Sequence, residues 1–188
     1  MRKVLFRVDS SAIIGLGHVM RCLTLADAFR QRGWNCRFLS KTHQGHAAAM
    51  VRERGYDCDL LGLDLESDPN ACGHSDWLGG SQRIDAAHSL AAIQQYDIDL
   101  VVIDHYGIDR HWEDVCRPAV KAMLVIDDLA DREHSCDLLL DQTYGRLACD
   151  YEGLHGDSCR LLLGSEFAIL RPAFSQRRHS EPLLRQTK

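Results

Sequence analysis

Apolar residues gather in short runs at 3–8, 35–40, 58–63, 99–103, 122–126, 137–140 and 160–163, each the length of one β-strand. Helical patterns fill 18–32, 44–54, 81–95 and 109–119 between them. In the first helical pattern Val19, Leu23, Ala26 and Phe29 fall on one face, and Gly33 follows as a stop signal. The run Leu100-Val-Val-Ile103 is continuously apolar, as strands covered on both faces are. This alternation predicts an α/β fold: a Rossmann-like, doubly wound parallel sheet with helices on both sides.

In such a sheet ligands bind beyond the carboxyl ends of the strands, near the point where strand order reverses. The residues that follow the strands are therefore the ones to read. They are Asp9-Ser10-Ser11, Ser40-Lys41-Thr42, Asp64, Asp104-His105-Tyr106, Asp127-Asp128 and Asp141-Gln142. The stretch from Asp9 to Arg21 is the most distinctive, because a glycine-bearing turn delivers His18 to the first turn of a helix. Helix N-terminal N–H groups lack intrahelical partners and suit an anion. Gly15-x-Gly17 is not a dinucleotide fingerprint: Met20 stands where the third glycine belongs, and Ser40-Lys41 stands where an acid should grip the ribose. A phosphate-binding P-loop is absent as well. A tight strand-to-helix turn would explain the glycines alone. His18 and Arg21, three residues apart on one side of the helix, add a base and a cation suited to a phosphate-bearing substrate.

Other candidates carry two readings each. His105 reads as a ligand contact or as a hydrogen-bonded loop residue. Asp127-Asp128 could hold Mg²⁺ or share a proton, but such pairs more often cap helices or stabilise turns. His134-Ser-Cys136 and Cys72-Gly-His74 bring soft ligands together without a second pair at zinc spacing, so no metal is expected. The longest loop, 64–80, carries Trp77, a large aromatic suited to covering a ligand. Arg171-Pro172 ends the last apolar segment, and Arg171 is either solvated or a phosphate contact at a hinge. Residues 1–174 are expected to form one domain, and the basic, aperiodic 175–188 a linker or frayed tail.

Composition narrows the classes. The chain has 188 residues, 45% hydrophobic and 26% charged, as one ordinary globular domain has. A net charge of −5 gives no reason to expect nucleic acid or an anionic membrane as partner. No apolar run approaches the ~20 residues of a membrane-spanning helix, and the early charges of Met1-Arg2-Lys3 do not fit a signal peptide. Eight cysteines stand singly, with no Cys-x-x-Cys, and read as reduced thiols filling small core positions in a cytoplasmic protein.

Several segments match one family in order. They begin with Arg7-Val-Asp9-Ser…Ile14-Gly-Leu-Gly-His18-Val-Met-Arg21-Cys-Leu-Thr-Leu-Ala26 and Asp76-Trp-Leu-Gly79. Val102-Ile-Asp-His-Tyr106 with Trp112-Glu113, Ile126-Asp-Asp-Leu-Ala-Asp-Arg132 and Cys136-Asp-Leu-Leu-Leu-Asp-Gln142 follow. Leu163-Gly164…Ile169-Leu-Arg-Pro172 completes the set. The set resembles the nucleotide-sugar hydrolases of pseudaminic acid biosynthesis, themselves similar to GT-B glycosyltransferases such as the lipid II synthase. The resemblance implies two Rossmann-like domains across a cleft, of which this chain is the first, on the sugar side, with nucleotide binding mostly on the second. It implies hydrolysis of the C1–oxygen bond of a UDP-linked 2,4-diacetamido-2,4,6-trideoxyhexose, releasing UDP with inversion. The catalytic histidine falls on His18. Asp9, Gly15, Gly17, Arg21, Trp77, His105, Tyr106 and Arg171 become expected substrate contacts, with the UDP-sugar as the partner and neither cofactor nor metal required. The alternatives are a GT-B glycosyltransferase or spore-coat-type polysaccharide biosynthesis protein, and an isolated non-catalytic domain. The oligomeric state is left open.

Overall fold

A computed structural model of the chain describes residues 1–64, 73–171 and 174. Its strands are β1 (Lys3–Val8), β2 (Asn35–Lys41), β3 (Asp57–Leu61), β4 (Leu100–Asp104), β5 (Ala122–Ile126), β6 (Leu138–Asp141) and β7 (Arg160–Leu163). They form one parallel sheet in the order β3-β2-β1-β4-β5-β6-β7. The chain winds outward from β1 in one direction and from β4 in the other, so the order reverses between these two strands. The expected doubly wound, Rossmann-like architecture is the observed one.

Among the described residues four α-helices cover the sheet: α1 (Gly17–Gln31), α2 (Ala48–Glu53), α3 (Gln82–Tyr96) and α4 (Arg110–Cys116). Strand alternation decides which face each side chain enters. Val4, Phe6 and Val8 of β1 join Val19, Leu23 and Ala26 of α1 and Val51 of α2 in one core. Leu5 joins Val101 and Ile103 of β4, Ile93 of α3 and Trp112 of α4 in the other. No helix among the described residues is long and apolar enough to cross a membrane.

Two helices are shorter than their sequence patterns. The expected 44–54 helix starts only at Ala48, because 43–46 closes into a turn with His46 N–H donating to His43 O at 3.1 Å. Ser10, just past β1, then accepts the Ala47 N–H through its hydroxyl at 2.8 Å and ties α2 to the carboxyl edge. The expected 109–119 helix stops at Cys116, and 117–119 tightens into a 3₁₀ turn. Pro118 there can donate no helical hydrogen bond and crowds the preceding turn. Cys72, Pro172 and the expected tail 175–188 lie outside the described residues.

Arg7 points from β1 into the α3 side of the sheet and is fully buried. Its guanidinium donates to both Asp85 oxygens at 2.9 and 2.7 Å and to both Asp9 oxygens at 2.8 and 2.9 Å. Trp112 Nε1 also donates to Asp85, at 2.8 Å, and Lys41 Nζ lies 3.6 Å from it. Burial alone would raise the Asp9 and Asp85 carboxyls, but Arg7 outweighs it and holds both below the usual carboxylate range. Removing one member strands its partners without water. Asp85→Ala is expected to lower the unfolding free energy by about 3–5 kcal/mol in urea titrations. Asp57→Ala, which breaks the exposed pair with Arg37, should cost less than about 1 kcal/mol. Equal losses in the two variants would contradict the structural weight given to Arg7.

Candidate functional site

The carboxyl ends of β1 and β4 face the start of α1, and this is where His18 sits. The turn before it is locally determined. Ser11 Oγ accepts the Ile13 and Ile14 N–H groups at 3.1 and 2.9 Å, and Ser11 O accepts Gly15 N–H at 2.9 Å. Closing that loop puts Gly15 at φ +79°, where a side chain would be strained. Among the described residues nothing beyond the adjoining backbone lies within 4 Å of the place a Cβ would take on Gly15 or Gly17, so the backbone there is open to approach. Helix α1 begins without a side-chain cap.

His18 Nδ1 lies 2.6 Å from Asp104 Oδ1 at the end of β4. Arg21, one turn further along α1, donates Nε to Asp104 Oδ2 at 2.5 Å and Nη2 to Asp104 Oδ1 at 2.6 Å. Its Nη1 donates to Asp128 Oδ2 at 2.5 Å, and Tyr106 donates its hydroxyl to the same oxygen at 2.9 Å. Burial works against the Asp104 charge, but hydrogen bonds from Arg21 and His18 prevail and hold its pKa at about 2. An ionised carboxylate only accepts. His18 therefore carries its proton on Nδ1, which leaves the Nε2 lone pair to act as a base. Among the described residues no hydrogen bond engages Nε2. Burial and the Asp128 charge push the Tyr106 phenol up, so it stays a donor at neutral pH.

Aromatic rings surround this dyad. Tyr106 meets the His18 ring edge-on at 4.7 Å between centroids, and Trp77 does so at 6.2 Å. Trp77 and Tyr106 stack on one another at 5.6 Å, and His74 packs against both. Trp77 reaches this place from a 3₁₀ turn, Ser75–Leu78, whose exit is pinned by Asp64. Asp64 Oδ1 accepts Ser81 N–H at 3.1 Å, and Lys41 Nζ donates to Oδ2 at 3.1 Å. A Cβ on Gly80 would fall 1.9 Å from Asp64 Oδ2, so the approach of these two segments requires glycine.

The structure brings His18, Gly15, Gly17, Arg21, Trp77 and Tyr106 together at one strand edge. Arg171 joins the rim: a groove of ≈ 240 Å³ is lined by Gly17, Met20, Arg21, Thr24, Ile169, Leu170, Arg171 and Phe174. That segment is held to the sheet by Ile169 N–H donating to Gln142 Oε1 at 3.0 Å. Among the described residues no acidic side chain pairs with Arg171. Asp9 and His105 sit beneath the edge, 1% and 3% exposed. His105 Nδ1 accepts Gly107 N–H at 3.0 Å and its Nε2 lies 3.2 Å from Asp9 Oδ2, the hydrogen-bonded loop arrangement. Asp127 takes the turn-stabilising role, accepting the Leu129 and Ala130 N–H groups at 3.3 and 2.9 Å and pairing with Arg132 at 2.9 Å. Among the described residues no group of three His, Cys, Asp or Glu side chains could hold a metal ion.

Sequence reasoning gave no site role to Asp104; it weighed Asp128 only as half of an Asp127-Asp128 pair and His74 only as a soft ligand beside Cys72. The signal for the two carboxylates was their place at the carboxyl ends of β4 and β5. Reading Arg21 as a cation for phosphate ignored what Asp104 and Asp128 do to it: two carboxylates already match its single charge.

No family model matches the chain. It is similar to the UDP-2,4-diacetamido-2,4,6-trideoxy-beta-L-altropyranose hydrolase of Campylobacter jejuni subsp. jejuni serotype O:2, with 29% identity over 174 residues. That match covers 93% of this chain and 54% of the relative, so the chain spans about half the relative's length. Among solved structures it is similar to Acinetobacter baumannii MurG, a GT-B protein, with a TM-score of 0.58 at 10% identity. The superposition covers 97% of this chain and 50% of MurG. The likeness to MurG shows the fold; the hydrolase is the relative that the sequence resemblance implied.

Asp104 gives the site a pH signature. Its folded pKa lies below its unfolded value, so its stabilisation is present above the unfolded pKa and lost as pH falls through the folded one. The stability difference between wild type and Asp104→Asn is expected to be full above about pH 5 and to shrink by about 2 kcal/mol toward pH 2. Denaturant unfolding across that range measures it, and a pH-independent difference would remove Asp104 as the ionised partner.

Proposed function

We propose that this chain forms the sugar-facing wall of a UDP-sugar hydrolase in which His18 is the general base. The observation that carries the reading is the His18–Asp104 pair, set at the reversal point of the sheet with Nε2 left basic. The substrate class rests on the similarity to the altropyranose hydrolase: a UDP-linked 2,4-diacetamido-2,4,6-trideoxyhexose. His18 takes a proton from water as the water attacks C1. The C1–oxygen bond breaks on the opposite face, and UDP departs with inversion.

The charge of the wall supports this division. Asp104 and Asp128 face the single cation Arg21, which leaves one net negative charge beside His18. Such a wall repels a diphosphate and favours the positive charge that develops at the sugar ring in an oxocarbenium-like transition state. In an inverting displacement the base and the leaving group lie on opposite faces, so a wall carrying the base is not the wall that receives UDP. Arg171, which no carboxylate among the described residues matches, is the residue in the groove suited to a phosphate. Trp77 and Tyr106 offer apolar faces to the sugar and its acetamido groups, and the open backbone at Gly15 and Gly17 admits it closely. Asp9 and His105 act from below, by fixing the loop that carries Tyr106. A second α/β unit facing this edge would bind most of the nucleotide, with 1–174 as the first unit and 175–188 leading away from it.

In the natural gene product His18→Ala is expected to lower kcat by at least ~10²-fold with little change in KM. Free sugar and UDP should appear without any added acceptor. Near-wild-type turnover would sink the role of His18, and a requirement for an acceptor hydroxyl would favour the glycosyltransferase reading. Calorimetric titration of this 188-residue chain with UDP should show no saturable heat at sub-millimolar nucleotide. Tight binding would mean that this wall holds the diphosphate after all.

A further inference from the structure

Away from this edge, two cysteines meet at the opposite ends of β6 and β7. Cys136 and Cys159 precede the two strands, which pair in parallel from Leu138↔Arg160, and Arg160 N–H donates to Asp137 O at 2.9 Å. The two sulfurs lie 3.6 Å apart. No other cysteines among the described residues contact one another in this way; Cys22, Cys36, Cys58 and Cys116 are each buried apart. A polar cavity of ≈ 210 Å³, lined by Arg117, Ser135, Cys136, His155, Gly156 and Ser158, reaches Cys136 from solvent. Cys159 is itself partly exposed.

We propose that Cys136 and Cys159 are a thiol pair that closes to a disulfide in an oxidising environment, a modification site distinct from the His18 edge. A disulfide needs its sulfurs at about 2.0 Å, and the backbone ladder between β6 and β7 holds the two positions one step out of register with their sulfurs 3.6 Å apart. Contact between the two sulfurs and burial keep Cys136 protonated, and Cys159 is the more exposed of the two. Cys159 is thus the attacking sulfur. It displaces one thiol from a low-molecular-weight disulfide and forms a mixed disulfide. Cys136 then loses its proton, attacks Cys159 Sγ and expels the second thiol. The protein gives up two electrons and two protons, and the oxidant becomes two thiols. The bridge would close a loop across 23 positions and fix the start of β7, the strand that leads to Arg171.

The test is incubation of the native chain with glutathione disulfide, followed by alkylation in denaturant and peptide mapping. The expected result is a Cys136–Cys159 cross-link, with the protein lighter by two hydrogen atoms. The oxidised chain should melt about 5–10 °C higher than the reduced one. That rise should vanish in Cys136→Ser and in Cys159→Ser and persist in Cys149→Ser, which removes the exposed thiol. Glutathione left attached at Cys159, or a link from either residue to another cysteine, would overturn the proposal. So would all of these thiols remaining free while Cys149 is modified.

Discussion

One carboxylate, Asp104, decides how the candidate site is built. It ends the central strand β4, is fully buried, and accepts from two residues of the facing helix α1. A buried anion of this kind is tolerable only when it is paired and hydrogen-bonded. Arg21 meets that need, and its fork leaves Asp104 Oδ1 shared with His18. The tautomer of His18, the angle of its ring and the first turn of α1 therefore follow from one desolvated charge. Asp128 and Tyr106 extend the same network to the end of β5, so two neighbouring strand ends and the start of α1 are held together by polar contacts where the sheet's own ladder has stopped.

The parallel sheet imposes this arrangement. Every strand delivers its carboxyl end to the same edge, and the chain there carries Asp9, Asp64, Asp104, Asp127, Asp128 and Asp141. Each described acid on that edge has a cationic partner: Arg7 for Asp9, Lys41 for Asp64, Arg132 for Asp127, Arg146 for Asp141, and one Arg21 shared by Asp104 and Asp128. The pairs divide by role. Arg7, Asp9 and Asp85 are sealed under the edge and bind β1 to α3, whereas Arg21 and Asp128 remain partly accessible beside His18. Stability and chemistry thus use the same type of contact at different depths.

This division explains what could be read in the chain before any coordinates. The strands were legible because apolar runs of strand length are what a sheet buried on both faces requires, and Leu100 to Ile103 is such a run. His18 was legible because a glycine turn between a strand and an amphipathic helix fixes where the next side chain must stand. The pairing of Arg21 was not, because its two acids lie 83 and 107 positions away and only the winding of the sheet joins them. His105 offered two readings for the same reason: its neighbour Asp9 belongs to another strand, and adjacency in the chain to Asp104 and Tyr106 says nothing about depth. Pro118 and the 43–46 turn show a smaller gap, in which helical periodicity continues past the point where backbone hydrogen bonding can follow.

The net charge of the wall links the fold to the proposed reaction more tightly than the histidine alone does. A histidine at a helix N-terminus is compatible with binding an anion, with proton transfer or with neither. Once Arg21 is matched by two carboxylates, the region around His18 no longer favours an anion, despite the unpaired N–H groups of α1. What it favours is a group that becomes positive while a water molecule loses a proton. Departure of UDP from C1 creates that group, and inversion requires the diphosphate to leave toward the opposite side. On the proposed reading, a wall with a base, an excess carboxylate and aromatic faces suits the water side of the reaction, and the cations that draw off the diphosphate would belong to a second unit.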